Sequence, residues 1–94
     1  MEEIVRKLKK IRKFLEKEYY VKDIALFGSY VRGEQDENSD LDILVDFYKT
    51  PTLLQFLRLK YFLSDYLSIK VDLVMKQSLK PVIGKRIIRE AISI

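Results

Sequence analysis

The stretch GSYVRGEQDENSDLD, Gly28 to Asp42, decides how this chain folds, and it runs directly into ILVDF, residues 43–47. From Asp40 onward the residues alternate. Leu41, Ile43, Val45 and Phe47 fall on one face of a strand over 40–47, and Asp40, Asp42, Leu44 and Asp46 on the other. Aspartates at i and i+2 leave the same face about 6.6 Å apart along the strand. That spacing lets two carboxylates converge on one cation or bridge two. Left without a cation they repel, and one holds its proton more tightly. A solvent-facing pair at a strand start is the plainer account, so the DxD triplet needs company before it points to chemistry.

The company lies on both sides. Upstream, IALF (24–27) reads as a short buried strand stopped by Gly28-Ser29. Tyr30 to Arg32 then make a turn of helix, with Ser29 as its N-cap and Gly33 closing it in a left-handed conformation. Where a strand gives way to a helix, backbone N–H groups point outward and favour an anion. Glycine lets a phosphate approach the backbone. The Ser29 hydroxyl adds a donor, and Arg32, one turn on, a positive charge. GEQDENS (33–39) is a polar loop.

Downstream, a third strand over 69–75, IKVDLVM, carries Asp72 between Val71 and Leu73, where aspartate is a poor strand former. A third carboxylate beside the DxD pair, acting as metal ligand or general base, accounts for it; an outward-facing edge residue is the alternative. Around this centre the chain reads as helices. Ile4, Leu8, Ile11, Leu15 and Tyr19 recur at helical spacing over 2–20, and Val21-Lys22-Asp23 breaks the pattern. Thr50-Pro51 opens an apolar helix over 52–67, and a last helix covers about 81–92. The tail AISI either continues that helix or pairs as a short edge strand. The expected fold is α/β or α+β: one domain over 1–94, with a small mixed sheet flanked by helices.

Composition narrows the chemistry. The 94 residues include no Cys, no His and no Trp. Thiol and imidazole catalysis are therefore impossible, and a zinc site lacks its usual ligands. Carboxylates, Lys, Arg, Tyr and hydroxyls remain, a set suited to hard cations, Mg²⁺ foremost. The net charge is +4, but many of the Lys and Arg residues lie in the first seventeen positions, interleaved with Glu on a helical pattern, so a solvated helix face accounts for them better than a nucleic-acid partner. The charged N-terminus and short apolar runs point to a cytoplasmic protein without a membrane span.

Gly28-Ser29, ten intervening residues and Asp40-Leu41-Asp42 have the form GSX10DXD, which resembles the signature of the DNA polymerase β-like nucleotidyltransferases. The wording GSYVRGE…NSDLDILVDF, the downstream VDLV with Asp72 and the ending IIREAISI are similar to the minimal nucleotidyltransferases, the MNT antitoxins. The resemblance implies a polymerase β-like palm fold and an adenylyltransferase that uses ATP. Gly28 and Ser29 would hold the β and γ phosphates. Asp40 and Asp42 would bind two Mg²⁺ ions, and Asp72 would ligate one and help deprotonate the acceptor hydroxyl. Arg32 would touch phosphate or serve structure. The implied partner is a HEPN-domain toxin, silenced by transfer of AMP to a tyrosine. The chain has no room for a separate acceptor domain, so a partner or a second copy would supply that surface. Tyr61 and Tyr66 on helix 52–67 are candidates for such a contact, although core packing claims most of that helix. Two alternatives stay open: a binding module that neutralises the toxin by contact, and an enzyme acting on a small alcohol such as an aminoglycoside.

Overall fold

The computed structural model describes residues 1–94. Helix α1 (Glu2–Tyr19) leads into strand β1 (Val21–Phe27) and a single turn of helix, α2 (Ser29–Arg32). Strand β2 (Leu41–Phe47), helix α3 (Leu53–Leu67) and strand β3 (Val71–Met75) follow. A 3-10 turn at Lys76–Ser78, helix α4 (Pro81–Glu90) and a two-residue strand β4 (Ile92–Ser93) complete the order. The sheet runs β3-β2-β1-β4. β1 is antiparallel to β2 and β4, whereas β2 and β3 are parallel, joined by α3.

The alternation in β2 does what its pattern requires. Leu41, Ile43 and Val45 are fully buried. They meet Ile24 and Leu26 of β1, Val71 and Leu73 of β3, and the apolar faces of α1 (Ile4, Leu8, Leu15) and α3 (Leu59, Leu63, Leu67) in one cluster. At ~25 cal/mol per Å² of apolar surface removed from water, each of these side chains contributes about 1.5–3 kcal/mol before entropy is counted. The opposite face carries Asp42 and Asp72 and is covered only in part, by α4.

Several boundaries differ from the sequence expectation. β1 begins at Val21, not at 24. Tyr20 closes α1 with a left-handed φ of 58°, and Val21 pairs at once with Phe47. The register shifts between Val21 and Asp23, so a bulge lets the consecutive charges Lys22 and Asp23 both stay outside the core. Ser29 is not a cap: Gly28 holds that position, and Ser29 is the first helical residue. Gly33 does close α2, at φ 72°. α3 is started by Thr52, which accepts from the Gln55 N–H while the Gln55 side chain accepts from the Thr52 N–H; Pro51 lies outside. The tail forms the short edge strand. Ile92 pairs with Leu26, and the Ile94 N–H donates to Ile24 O at 2.9 Å.

Candidate active site

Three segments converge at one end of the sheet: the end of β1, the start of β2 and the start of β3. The Leu41 N–H donates to Lys70 O at 2.8 Å, which ties the start of β2 to the start of β3. The parallel register then sets Asp42 directly beside Asp72, and the antiparallel register sets Asp42 opposite Phe27, one residue before Gly28. Neighbouring strands lie about 4.8 Å apart. Two carboxylates that share a face at that separation interact strongly.

The electrostatics follow. The Asp42 carboxyl is pushed up from the ordinary 3.8 to about 6. Burial is the largest cause; the charge and hydrogen bonding of Asp72 come next, then the charge of Asp40, with Arg32 opposing. Asp72 itself is exposed. Asp40 lies one residue before the β-ladder, not inside it as the strand 40–47 predicts. It is half-buried and lines an open hollow of about 420 Å³ with Tyr30, Ser39 and Lys70.

Gly28 is where the geometry is tightest. Its φ of 79° with ψ of −155° belongs to a region that only glycine enters readily. A Cβ built there would lie 2.0 Å from Oδ2 of Asp42. The missing side chain is what lets the Gly-Ser turn rest against the carboxylate. The Gly28 N–H donates to Oε1 of Glu90 at 3.0 Å. Arg32 donates from Nη1 to the same oxygen at 3.0 Å, and from Nε to Oε1 of Glu34 at 2.6 Å. The Ser29 hydroxyl makes no cap hydrogen bond.

The structure thus brings Gly28, Ser29, Arg32, Asp42 and Asp72 to one corner, with Asp40 at its edge. The sequence reading missed Glu90. It lies 62 residues from Gly28, in a helix whose sequence advertises only amphipathic packing, and no local signal announces its reach. Of the two tyrosines on α3, Tyr61 is 60% exposed. Tyr66 turns inward instead: its hydroxyl donates to Lys7 O at 2.8 Å and its ring stacks on Phe62.

No three carboxylates converge into a ready-made metal cage. The donor chemistry nevertheless suits Mg²⁺. This ion is commonly held by one or two carboxylates, its shell completed by water and substrate phosphates. Asp42 and Asp72 offer hard oxygen donors whose mutual repulsion a divalent cation removes.

This chain belongs to the nucleotidyltransferase domain family, whose model matches residues 8–94. Among its relatives, the protein adenylyltransferase MntA of Thermococcus cleftensis is 49% identical over 92 residues, covering 98% of this chain and 93% of that protein. A solved structure provisionally described as a minimal nucleotidyltransferase superposes with a TM-score of 0.80 at 38% identity, over 96% of this chain and 92% of that chain. The small mixed sheet with flanking helices is accordingly the minimal nucleotidyltransferase fold. One chain from a complex of the tri-AMPylated Shewanella oneidensis HEPN toxin with MNT antitoxin superposes with a TM-score of 0.68 at 26% identity, over 96% of this chain and 70% of that one. No helix is long and apolar enough to cross a membrane.

Proposed function

We propose that this chain is a Mg²⁺-dependent protein adenylyltransferase that transfers AMP from ATP to a tyrosine of a HEPN-domain partner and acts as its antitoxin. The observation that carries the reading is the register pair Asp42–Asp72, packed against the side-chain-free backbone of Gly28. Carboxylates and an anion-accepting turn are thereby held within one corner. The Thermococcus relative is named for protein adenylylation, and the Shewanella complex holds an AMPylated HEPN toxin; both support the same assignment here.

In this reading Gly28, Ser29 and Arg32 bind the β and γ phosphates of ATP. Asp42 and Asp72 hold Mg²⁺, with Asp40 contributing to a second ion. The metal supplies charge neutralisation on the phosphates. Asp72, which is exposed to solvent, accepts the tyrosine proton. The tyrosine oxygen forms a bond to the α phosphorus as the bond from that phosphorus to the diphosphate oxygen breaks, and diphosphate leaves. Arg32 offsets the charge left on the diphosphate. Burying Leu41, Ile43 and Val45 keeps β2 rigid, so Asp42 need not be ordered at the moment of reaction.

The experiment combines the protein, MgATP and a candidate HEPN-domain partner, with intact mass as the readout. One or more AMP adducts on the partner, absent with Asp42→Asn, are expected. A stable complex that neutralises the partner without any adduct would overturn the enzymatic reading in favour of neutralisation by contact.

A further inference from the structure

Glu90 is the one acidic group of α4, and it reaches the corner where phosphate is expected. A single oxygen, Oε1, accepts from the Gly28 N–H and from Arg32 Nη1, each at 3.0 Å. These are two of the donors assigned above to the nucleotide, and the inference rests on that assignment. A carboxylate bridging a peptide N–H and a guanidinium makes the same charge-assisted contacts that a phosphate oxygen makes. Gly28 has one N–H to give. Arg32 has more to give: Nε donates to Glu34 at 2.6 Å, and Nη2 makes no hydrogen bond within the protein. A phosphate oxygen and the Glu90 carboxylate therefore cannot both take the Gly28 N–H, and that one donor is where they compete.

We propose that Glu90 is the resident anion of the phosphate cradle, and that the triphosphate enters by displacing it. The helix that covers part of the open sheet face then carries its own competitor for the nucleotide. The side chains of Glu90 and Arg32 are 31% and 48% exposed, so the contact is solvated enough to open without a large penalty. The Glu90 contacts also fasten the last turn of α4 to the end of β1. Beyond that turn the short β4 pairing, the Ile94 N–H to Ile24 O bond and the packing of Ile94 against the core hold the tail.

The competing account makes Glu90 a positioning residue that aims Arg32 at phosphate. The two accounts predict opposite signs. Calorimetric titration of wild type, Glu90→Gln and Glu90→Ala with MgATP, and separately with inorganic tripolyphosphate, distinguishes them. Glu90→Gln keeps the shape and removes the charge; Glu90→Ala removes the contact altogether. Melting curves without ligand confirm that both are folded. Displacement predicts that both variants bind MgATP about three- to tenfold more tightly, up to ~1.4 kcal/mol. Tripolyphosphate should show the same gain, because the gain lies in the phosphates. Unchanged or weaker binding by both variants, with wild type binding normally, overturns the proposal and leaves the cradle standing. Failure of all three proteins to bind either probe removes the cradle and the proposal with it.

Discussion

Asp42→Asn should make this protein more stable at neutral pH while abolishing transfer. The Asp42 carboxyl is raised from 3.8 to about 6, with burial the first cause and Asp72 the second. A group whose folded-state pKa exceeds its unfolded value binds protons more tightly when folded. Its favourable contribution is complete below the unfolded pKa and disappears as pH rises through the folded one. Without divalent cation, wild-type stability should therefore fall between pH 3.8 and about 6. At ~1.4 kcal/mol per decade the full change would be about 3 kcal/mol. The carboxyl is partly solvated, and screening reduces the expected loss to about 1–1.5 kcal/mol. The assay is urea unfolding at a series of pH values in chelator, on wild type and Asp42→Asn. The variant should lack this component and exceed wild type at pH 7.5 by the same amount. Adding Mg²⁺ should recover the loss in wild type and do little for the variant. An Asn protein that is less stable than wild type at pH 7.5, or that keeps the wild-type pH slope, would falsify the claim that burial and the neighbouring carboxylates make the ionised Asp42 costly.

Gly28→Ala should lose transfer and at least ~2 kcal/mol of stability, read by activity and urea midpoint, because its Cβ meets Asp42 Oδ2 at 2.0 Å in a glycine-only conformation. Gly33→Ala is the matched control. Its Cβ meets nothing within 4 Å, so only left-handed strain of about 1 kcal/mol should appear in the midpoint, and transfer should survive. Asp72→Asn should cut transfer by about 10²–10⁴-fold, the usual span for a lost proton acceptor. The same change should lower the Asp42 pKa toward its ordinary value in a carboxyl NMR titration, leaving the part due to burial. Thr52→Ala should cost about 1 kcal/mol by removing the capping box of α3, with transfer rates unchanged.

The parts of the fold legible in the sequence are those where one periodicity dominates. β2 keeps Leu41, Ile43 and Val45 on one face, with Leu44 the one apolar residue among the aspartates of the other, and α1 keeps its apolar residues at helical spacing, so both elements follow the expectation closely. β1 is harder to read because its pattern is broken by the bulge at Lys22-Asp23. Two adjacent charged residues look like a loop until a partner strand shows that pairing resumes around them. Ser29 misleads for a related reason. Serine is a common cap, but the distorted φ and ψ needed at that position fall on Gly28, the only residue there that tolerates them.

The site divides along the same line. Gly28, Ser29, Asp40 and Asp42 are close in sequence, and their spacing exposes them. Asp72 is visible because an isolated aspartate in an apolar strand demands a reason. What the spacing does not reveal is that the two aspartates of the triplet are unequal. Alternation treats Asp40 and Asp42 as equivalent, yet the ladder begins between them, at Leu41. Asp42 is fixed by pairing on both sides, with Phe27 and with Asp72, and takes the burial and the repulsion. Asp40 precedes the ladder and faces an open hollow beside Lys70. Asp42 is thus the carboxylate with a fixed position and a charge to neutralise, and Asp40 the one that strand pairing does not fix. Glu90 was beyond sequence reasoning altogether, since its role depends on where α4 lands on the sheet. Only the folded chain brings residue 90 to residues 28 and 32.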